Sequence, residues 1–221
     1  MQGRATFLSS SIGRKVVMAV TGIALYGFVV GHMIGNLQIY LGPKAINDYA
    51  EFLQHFLHGQ GIWVARAVLL AAVSLHIWAA VCLTLSNWAA RPVGYRKWQA
   101  RESSYASRTM VWSGPILAAF VLYHLAHFTL GSVHPAFVKG DVYRNVVVGF
   151  QNPLVSGFYI LAMAALGLHM GHGFWSMLQT LGLSHPRWNR VRHAASALLA
   201  GIVVLGNISI PIAVLTGAVH L

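Results

Sequence analysis

The chain has 221 residues, of which 57% are hydrophobic and 9% charged, with a formal net charge of +11. A soluble domain carries roughly 25% charged residues, so the composition excludes an ordinary soluble fold and points to one membrane domain covering residues 1–221. The positive charge would suit nucleic acid if it covered a soluble surface, but Lys and Arg sit at the ends of apolar runs, as in an oriented membrane protein, and no nucleic-acid partner is expected. The single cysteine, Cys82, permits no intrachain disulfide, and no CxxCH haem-attachment motif occurs.

Residues 1–13 are polar and are expected at the membrane surface, with Arg14 and Lys15 opening a first span at about 15–40. That apolar run lacks a clear small-residue cleavage site and reads as a retained span, not a signal peptide. Gly42 and Pro43 break it. In NDYAEFLQHF, the helical spacing of Tyr49, Phe52, Leu53 and Phe56 predicts a short helix lying in the interface. A second span covers about 62–89 and stops before Arg91-Pro92, where the very basic connection RPVGYRKWQARESSYASR begins. A third covers about 109–131. The loop SVHPAFVKGDVYRNVVVGFQN, mixed in charge and rich in Val, is expected to hold a short surface helix. Pro153 suits the start of a fourth span at about 153–181. The basic turn SHPRWNRVRH leads to a fifth at about 194–219, which Pro211 should kink. Each run can cross a hydrocarbon core of roughly 30 Å, and only helices satisfy their backbone there. The expected fold is an all-α integral membrane protein, a bundle of five transmembrane helices.

Orientation follows from the basic residues. One side collects Arg4, Arg14, Lys15, Arg91, Arg96, Lys97, Arg101, Arg108, Arg187, Arg190 and Arg192; the other has Lys44, Arg66, Lys139 and Arg144. Eleven against four predicts a cytoplasmic N-terminus and an outside C-terminus in a multi-pass protein.

His32, His76, His124 and His169 lie one each in the first four apolar runs, 44, 48 and 45 residues apart. Ionisable groups inside a membrane are functional candidates by default. Imidazole is the commonest protein ligand for metals and holds haem iron in many proteins. Four histidines on four helices suit two irons with two axial ligands each. Any such haem is bound non-covalently, as haem b.

Depth sorts the four. His32 is eight residues from Tyr40 and His124 seven from Gly131, so both lie roughly 10–12 Å from the outer boundary at about 1.5 Å per residue. His76 is 14 residues from Ile62 and His169 is 16 from Pro153, which puts them roughly 21–24 Å in. The expected pairs are His32 with His124 and, deeper, His76 with His169. Gly31 and Gly35 beside His32, and Gly167, Gly171 and Gly173 around His169, allow backbone near a flat ligand or close helix packing. His127 and His172 each follow a proposed ligand by three residues and share its face to within about 60°. Each is an alternative ligand, or a contact for a propionate, a quinone or another helix.

The runs SSIGRKVVMAVTG leading into GHMIGNL, then NDYAEFL, SRTMVWSGPILAAFVLYHLAHF and GLHMGHGFWSMLQTLG resemble the cytochrome b membrane anchor of succinate dehydrogenases and fumarate reductases. The resemblance is to the single-chain, five-helix, di-haem type and covers most of the chain. It implies two haem b groups, one held by the first and third helices and one by the second and fourth, which here gives His32 with His124 and His76 with His169. It also implies a flavoprotein subunit for the dicarboxylate chemistry and an iron–sulfur subunit docking on the cytoplasmic face. Electrons then reach a membrane quinone, menaquinone by the habit of the two-haem type, in a bacterial inner membrane. Such complexes can associate further.

A quinone site needs a proton donor. Glu51, beside Asp48, His55 and His58 in the outer interfacial segment, is the candidate; Ser11, Arg14 and Lys15 are candidates for a second site at the other face. Arg66, a turn into the second span, either pairs with a haem propionate or snorkels to the interface. Two other readings compete: the cytochrome b of a hydrogenase or formate dehydrogenase, and a haem-free transporter moving protons through its histidines.

Overall fold

The computed structural model describes residues 7–90, 93 and 105–221, apart from the side chains of 105–107. Among these residues the structure is helical, without strands, and five helices are long and apolar enough to cross a membrane. Helix α1 (Ser11–Asn36) starts where the Ser10 hydroxyl accepts the Gly13 N–H at 2.9 Å, and it runs on as a 3-10 turn over Leu37–Leu41. Gly42 then takes φ +97°, a backbone region that favours glycine, and Pro43 occupies the first turn of the short α2 (Pro43–His55).

Leu57, His58 and Gly59 all have positive φ and reverse the chain into α3 (Gln60–Ala89). Helix α4 (Tyr105–His124) continues as a π-helical turn over Leu125–Thr129. The short α5 (Val142–Phe150) is capped by the Asp141 carboxylate, which accepts the Arg144 N–H at 3.1 Å. Helix α6 (Pro153–Thr180) is capped by Asn152, and α7 (Asn189–Leu215) completes the bundle.

The expected spans are present with shifted ends. The largest shift is in α7, which begins at Asn189 and not near 194 because its basic residues are inside the helix. Arg192 is 7% exposed; it donates to the Leu183 carbonyl at 3.0 Å and to Asn189, and it lies over the Trp175 ring at 4.3 Å. Both short interfacial helices are where the sequence placed them. In α2, however, the buried residue is Ile46, while Phe52, Leu53 and Phe56 are exposed. Of the basic residues counted for orientation, Arg4, Arg91, Arg96, Lys97 and Arg101 lie outside the described residues.

Packing arranges the spanning helices in a row, α3–α1–α6–α4, with α7 against α6 and α1. Helices α1 and α4 hardly approach each other, and neither do α3 and α6. Large apolar side chains such as Leu70, Leu122, Leu161 and Leu205 are about 70% exposed, a surface that suits lipid and not water. One buried cluster lies at the end carrying α2 and α5 and includes Ile39, Ile46, Phe120, Val147, Phe150, Tyr159 and Ile210. A smaller one joins Met33, Met170, Ala200 and Val203 between α1, α6 and α7.

That end is closed by polar bonds between the two short helices. Asn47 of α2 donates to Asp141 at 3.1 Å and accepts the Tyr143 N–H at 3.0 Å, and the Tyr143 hydroxyl donates to the His220 carbonyl at 2.9 Å.

The glycines divide between two uses. A Cβ on Gly35 would sit 2.6 Å from the Tyr49 ring, one on Gly167 2.6 Å from Val204, and one on Gly171 3.8 Å from Ala200, so these three serve helix packing. Gly31 and Gly173 meet nothing within 4 Å outside their own helix. Gly167→Leu should therefore overpack the α6–α7 contact and destabilise the fold by about 1–3 kcal/mol, read as a lower melting temperature in detergent. Gly31→Ala should leave that temperature unchanged.

Candidate functional site

Four of the spanning helices each contribute one imidazole to two cross-bundle pairs. The His32 ring on α1 lies 5.8 Å, centre to centre, from that of His124 at the end of α4. The His76 ring on α3 lies 6.3 Å from that of His169 on α6. The helices joined this way are next-but-one neighbours in the row, so each pair meets across space that no direct helix–helix packing fills.

The hydrogen bonds decide which ring nitrogen is free. Thr21 on α1 has one hydroxyl proton, which it donates to the Val17 carbonyl at 2.7 Å. Its contact with His76 Nδ1 at 3.1 Å is therefore one in which the imidazole N–H donates. A neutral imidazole protonated at Nδ1 keeps a lone pair on Nε2. His169 Nδ1 likewise meets a hydroxyl, that of Ser113 on α4, at 3.2 Å, and the Ser113 oxygen also lies 3.4 Å from the Met110 carbonyl. Metal-bound histidines are commonly fixed in this way through the nitrogen that does not bind the metal. Gly22 lies against the same ring: a Cβ there would be 3.7 Å from His76 Cε1.

In the other pair, the Tyr159 hydroxyl on α6 lies 3.4 Å from His124 Nδ1. His32 stacks on Phe28 with ring centres 5.3 Å apart.

Two imidazoles that both bound one metal ion would have ring centres roughly 6 Å apart. Among the described residues, no three His, Cys, Asp or Glu side chains converge to hold a metal ion. Two imidazoles complete a coordination sphere only if another ligand supplies the remaining positions. A porphyrin does this, and its flat shape suits the space between helices that do not pack.

The other sequence candidates are placed as follows. His127 is 1% exposed, with its Nδ1 3.0 Å from the phenol oxygen of Tyr159 on α6, the same oxygen that His124 approaches. Of the roles the sequence left open for it, this is the contact with another helix. His172 is half-buried on α6, one turn beyond His169. Arg66 is exposed with its guanidinium 4.8 Å above the ring of Trp63 on its own helix. Glu51 is exposed and, with Asn47, Asp48, Gln54 and Gly140, lines a recess of about 220 Å³. Beside it the Asp48 carboxylate accepts from Lys44 and holds that ammonium above its ordinary range. Arg14 donates to the Leu8 carbonyl and to Ser86 on α3.

Thr21, Ser113 and Tyr159 were not singled out by sequence reasoning. A hydroxyl within one helical turn of the expected ligand depth, on a neighbouring span, was the signal that would have found them.

A five-span helical membrane protein with paired intramembrane histidines is the class these features define. Comparison with known proteins narrows it: residues 89–208 match the succinate dehydrogenase/fumarate reductase transmembrane subunit family. The chain belongs to that family. It is also similar to the succinate dehydrogenase cytochrome b558 subunit of Bacillus subtilis (strain 168), with 23% identity over 167 residues, 74% of this chain and 77% of that protein. No solved structure matches. Family membership places the chain as a subunit of a succinate dehydrogenase or fumarate reductase and displaces the hydrogenase, formate dehydrogenase and transporter readings.

Thr21→Val keeps the shape of the side chain and removes the acceptor for His76. A haem held by His76 would then be retained about 10–100-fold more weakly, measured by haem titration of the purified protein.

Proposed function

We propose that this chain is the di-haem cytochrome b anchor of its complex. His32 and His124 hold one haem b, and His76 and His169 the other. The carrying observation is the pair of cross-helix imidazole contacts at 5.8 and 6.3 Å between helices that do not pack. The Nδ1 bond of His76 to Thr21 supports it by leaving Nε2 for the iron.

Bound haem supplies one-electron chemistry at its iron. The chain's own residues set where that happens. Thr21 holds the His76 ring in the ligating tautomer and Ser113 orients the His169 ring, while the apolar spans exclude water. The two sites lie at different depths, and together they give electrons stations on the way across the bilayer.

The basic residues Arg14 and Lys15 at the α1 start and Arg187, Arg190 and Arg192 around the α7 start support a cytoplasmic N-terminus in a bacterial inner membrane. The iron–sulfur subunit then docks on that face and the flavoprotein beyond it. A membrane quinone, menaquinone in this reading, is the small-molecule partner. The recess at Glu51 is its proton site: the carboxylate is at the interface, near the His32/His124 end, where protons are available from water.

A reduced-minus-oxidised spectrum of the purified complex tests the proposal. Two haems b per chain are expected, and His76→Ala should remove one and spare the other. A colourless anchor, or His76→Ala retaining both, would overturn it. Glu51→Gln should slow quinone turnover at least tenfold while leaving both haems in place, measured with a quinone analogue as electron acceptor or donor.

A further inference from the structure

We propose that Tyr159 is the positioning residue of the His32/His124 site, and that it does so by tying His124 to the buried His127. This rests on the reading of His124 as a haem ligand.

The Tyr159 ring is 6% exposed and boxed by aromatic side chains, with ring centres of Phe120 at 5.1 Å, Phe150 at 4.9 Å and Phe128 at 5.7 Å. The polar partners of its hydroxyl are two imidazoles: His127 Nδ1 at 3.0 Å and His124 Nδ1 at 3.4 Å. A phenol has one proton to give. The shorter contact takes it, so Tyr159 donates to His127 Nδ1 and accepts from His124 Nδ1–H. His124 is then left with its lone pair on Nε2, the nitrogen a metal needs.

The arrangement around His127 keeps this direction fixed. The His134 ring stacks 5.0 Å from His127, but both its nitrogens are engaged. Nε2 donates to the Asn145 carbonyl at 2.8 Å, and Nδ1 accepts the Ala136 N–H at 3.1 Å. His134 therefore does not compete for Tyr159. On the other side Gly149 of α5 lets backbone close over the ring: a Cβ there would be 3.0 Å from His127 Cε1 and 3.1 Å from its Nε2. The π turn over Leu125–Thr129 carries His127, and both imidazoles reach the same phenol oxygen.

The contrast with the other site gives the inference its content. There Thr21 passes its proton to the Val17 carbonyl of its own helix, and that chain ends. At the His32/His124 site the chain continues to a second imidazole, and hydrogen bonds in series strengthen one another. A ligand whose N–H donates to an acceptor is more basic toward its metal, which favours the oxidised ion.

The test is Tyr159→Phe in the purified complex, read by potentiometric titration and low-temperature EPR of the oxidised haems. A His76→Ala background identifies which signal belongs to which site. The expected result is wild-type haem content, a higher midpoint potential and a moved low-spin signal at the His32/His124 site, and no change at the other. An unchanged potential and signal there overturns the proposal. If Tyr159→Phe does not assemble, His127→Leu carries the test: the same upward shift, smaller, is expected, and His127→Gln, which restores an acceptor, should reverse it. No shift in His127→Leu also overturns the proposal. Retention of both haems by His124→Ala is a different result, which removes the ligand assignment itself.

Discussion

An imidazole inside hydrocarbon is tolerable only if its polar nitrogens have partners. In this protein the Nδ1 atoms of His76, His169 and His124 each meet a hydroxyl from a neighbouring helix, at 3.1, 3.2 and 3.4 Å. That requirement shapes the bundle. A hydroxyl on α1 must reach α3, one on α4 must reach α6, and one on α6 must reach α4. These are the packed neighbours in the row α3–α1–α6–α4. The ring pairs, by contrast, join helices one place further apart. Packing thus orients the rings, and the spaces between non-packed helices are where the rings face each other.

The two ends of the bundle are built differently. At one end α2, α5 and the chain's last residues form a lid of buried side chains and cross-bonds, with Asn47 and Asp141 at its centre. The His32/His124 pair lies just below this lid, and the acidic recess at Glu51 opens in it. At the other end, α6 and α7 are tied by Arg192, whose guanidinium is buried against Trp175 and the Leu183 carbonyl. His193 stacks on the same indole at 3.6 Å. A buried cation here uses a backbone carbonyl and a ring face in place of a carboxylate. The proposed inner-membrane orientation puts this end toward the cytoplasm.

Much of the architecture was legible in the sequence because long apolar runs and their breakers are local signals. Gly42-Pro43 ended one helix and Pro153 began another, as read. Helical rise converts position in a run into depth and put His32 level with His124 and His76 level with His169, whose rings lie 5.8 and 6.3 Å apart. Four features were not legible. The ligand-orienting hydroxyls of Thr21, Ser113 and Tyr159 are single polar residues whose partners lie on other helices, so no spacing within one run reveals them. The π turn after His124 comes from a one-residue change in hydrogen-bond register, which no residue pattern in the run announces. Arg192 read as a loop charge because burial of a cation is decided by Trp175 and Asn189, not by its neighbours in sequence. Gly35 and Gly167 left a flat ligand or helix packing open, and Tyr49 and Val204 decide for packing; Gly22, against His76, was the glycine beside a ring.

The central claim is that each imidazole pair is bridged by one metal group. A side-chain-resolution cryo-EM map of the assembled complex tests it most directly. The account predicts flat density with a strong centre between His32 and His124, and again between His76 and His169, with each Nε2 pointing at that centre. Rings contacting only protein at either level would contradict it.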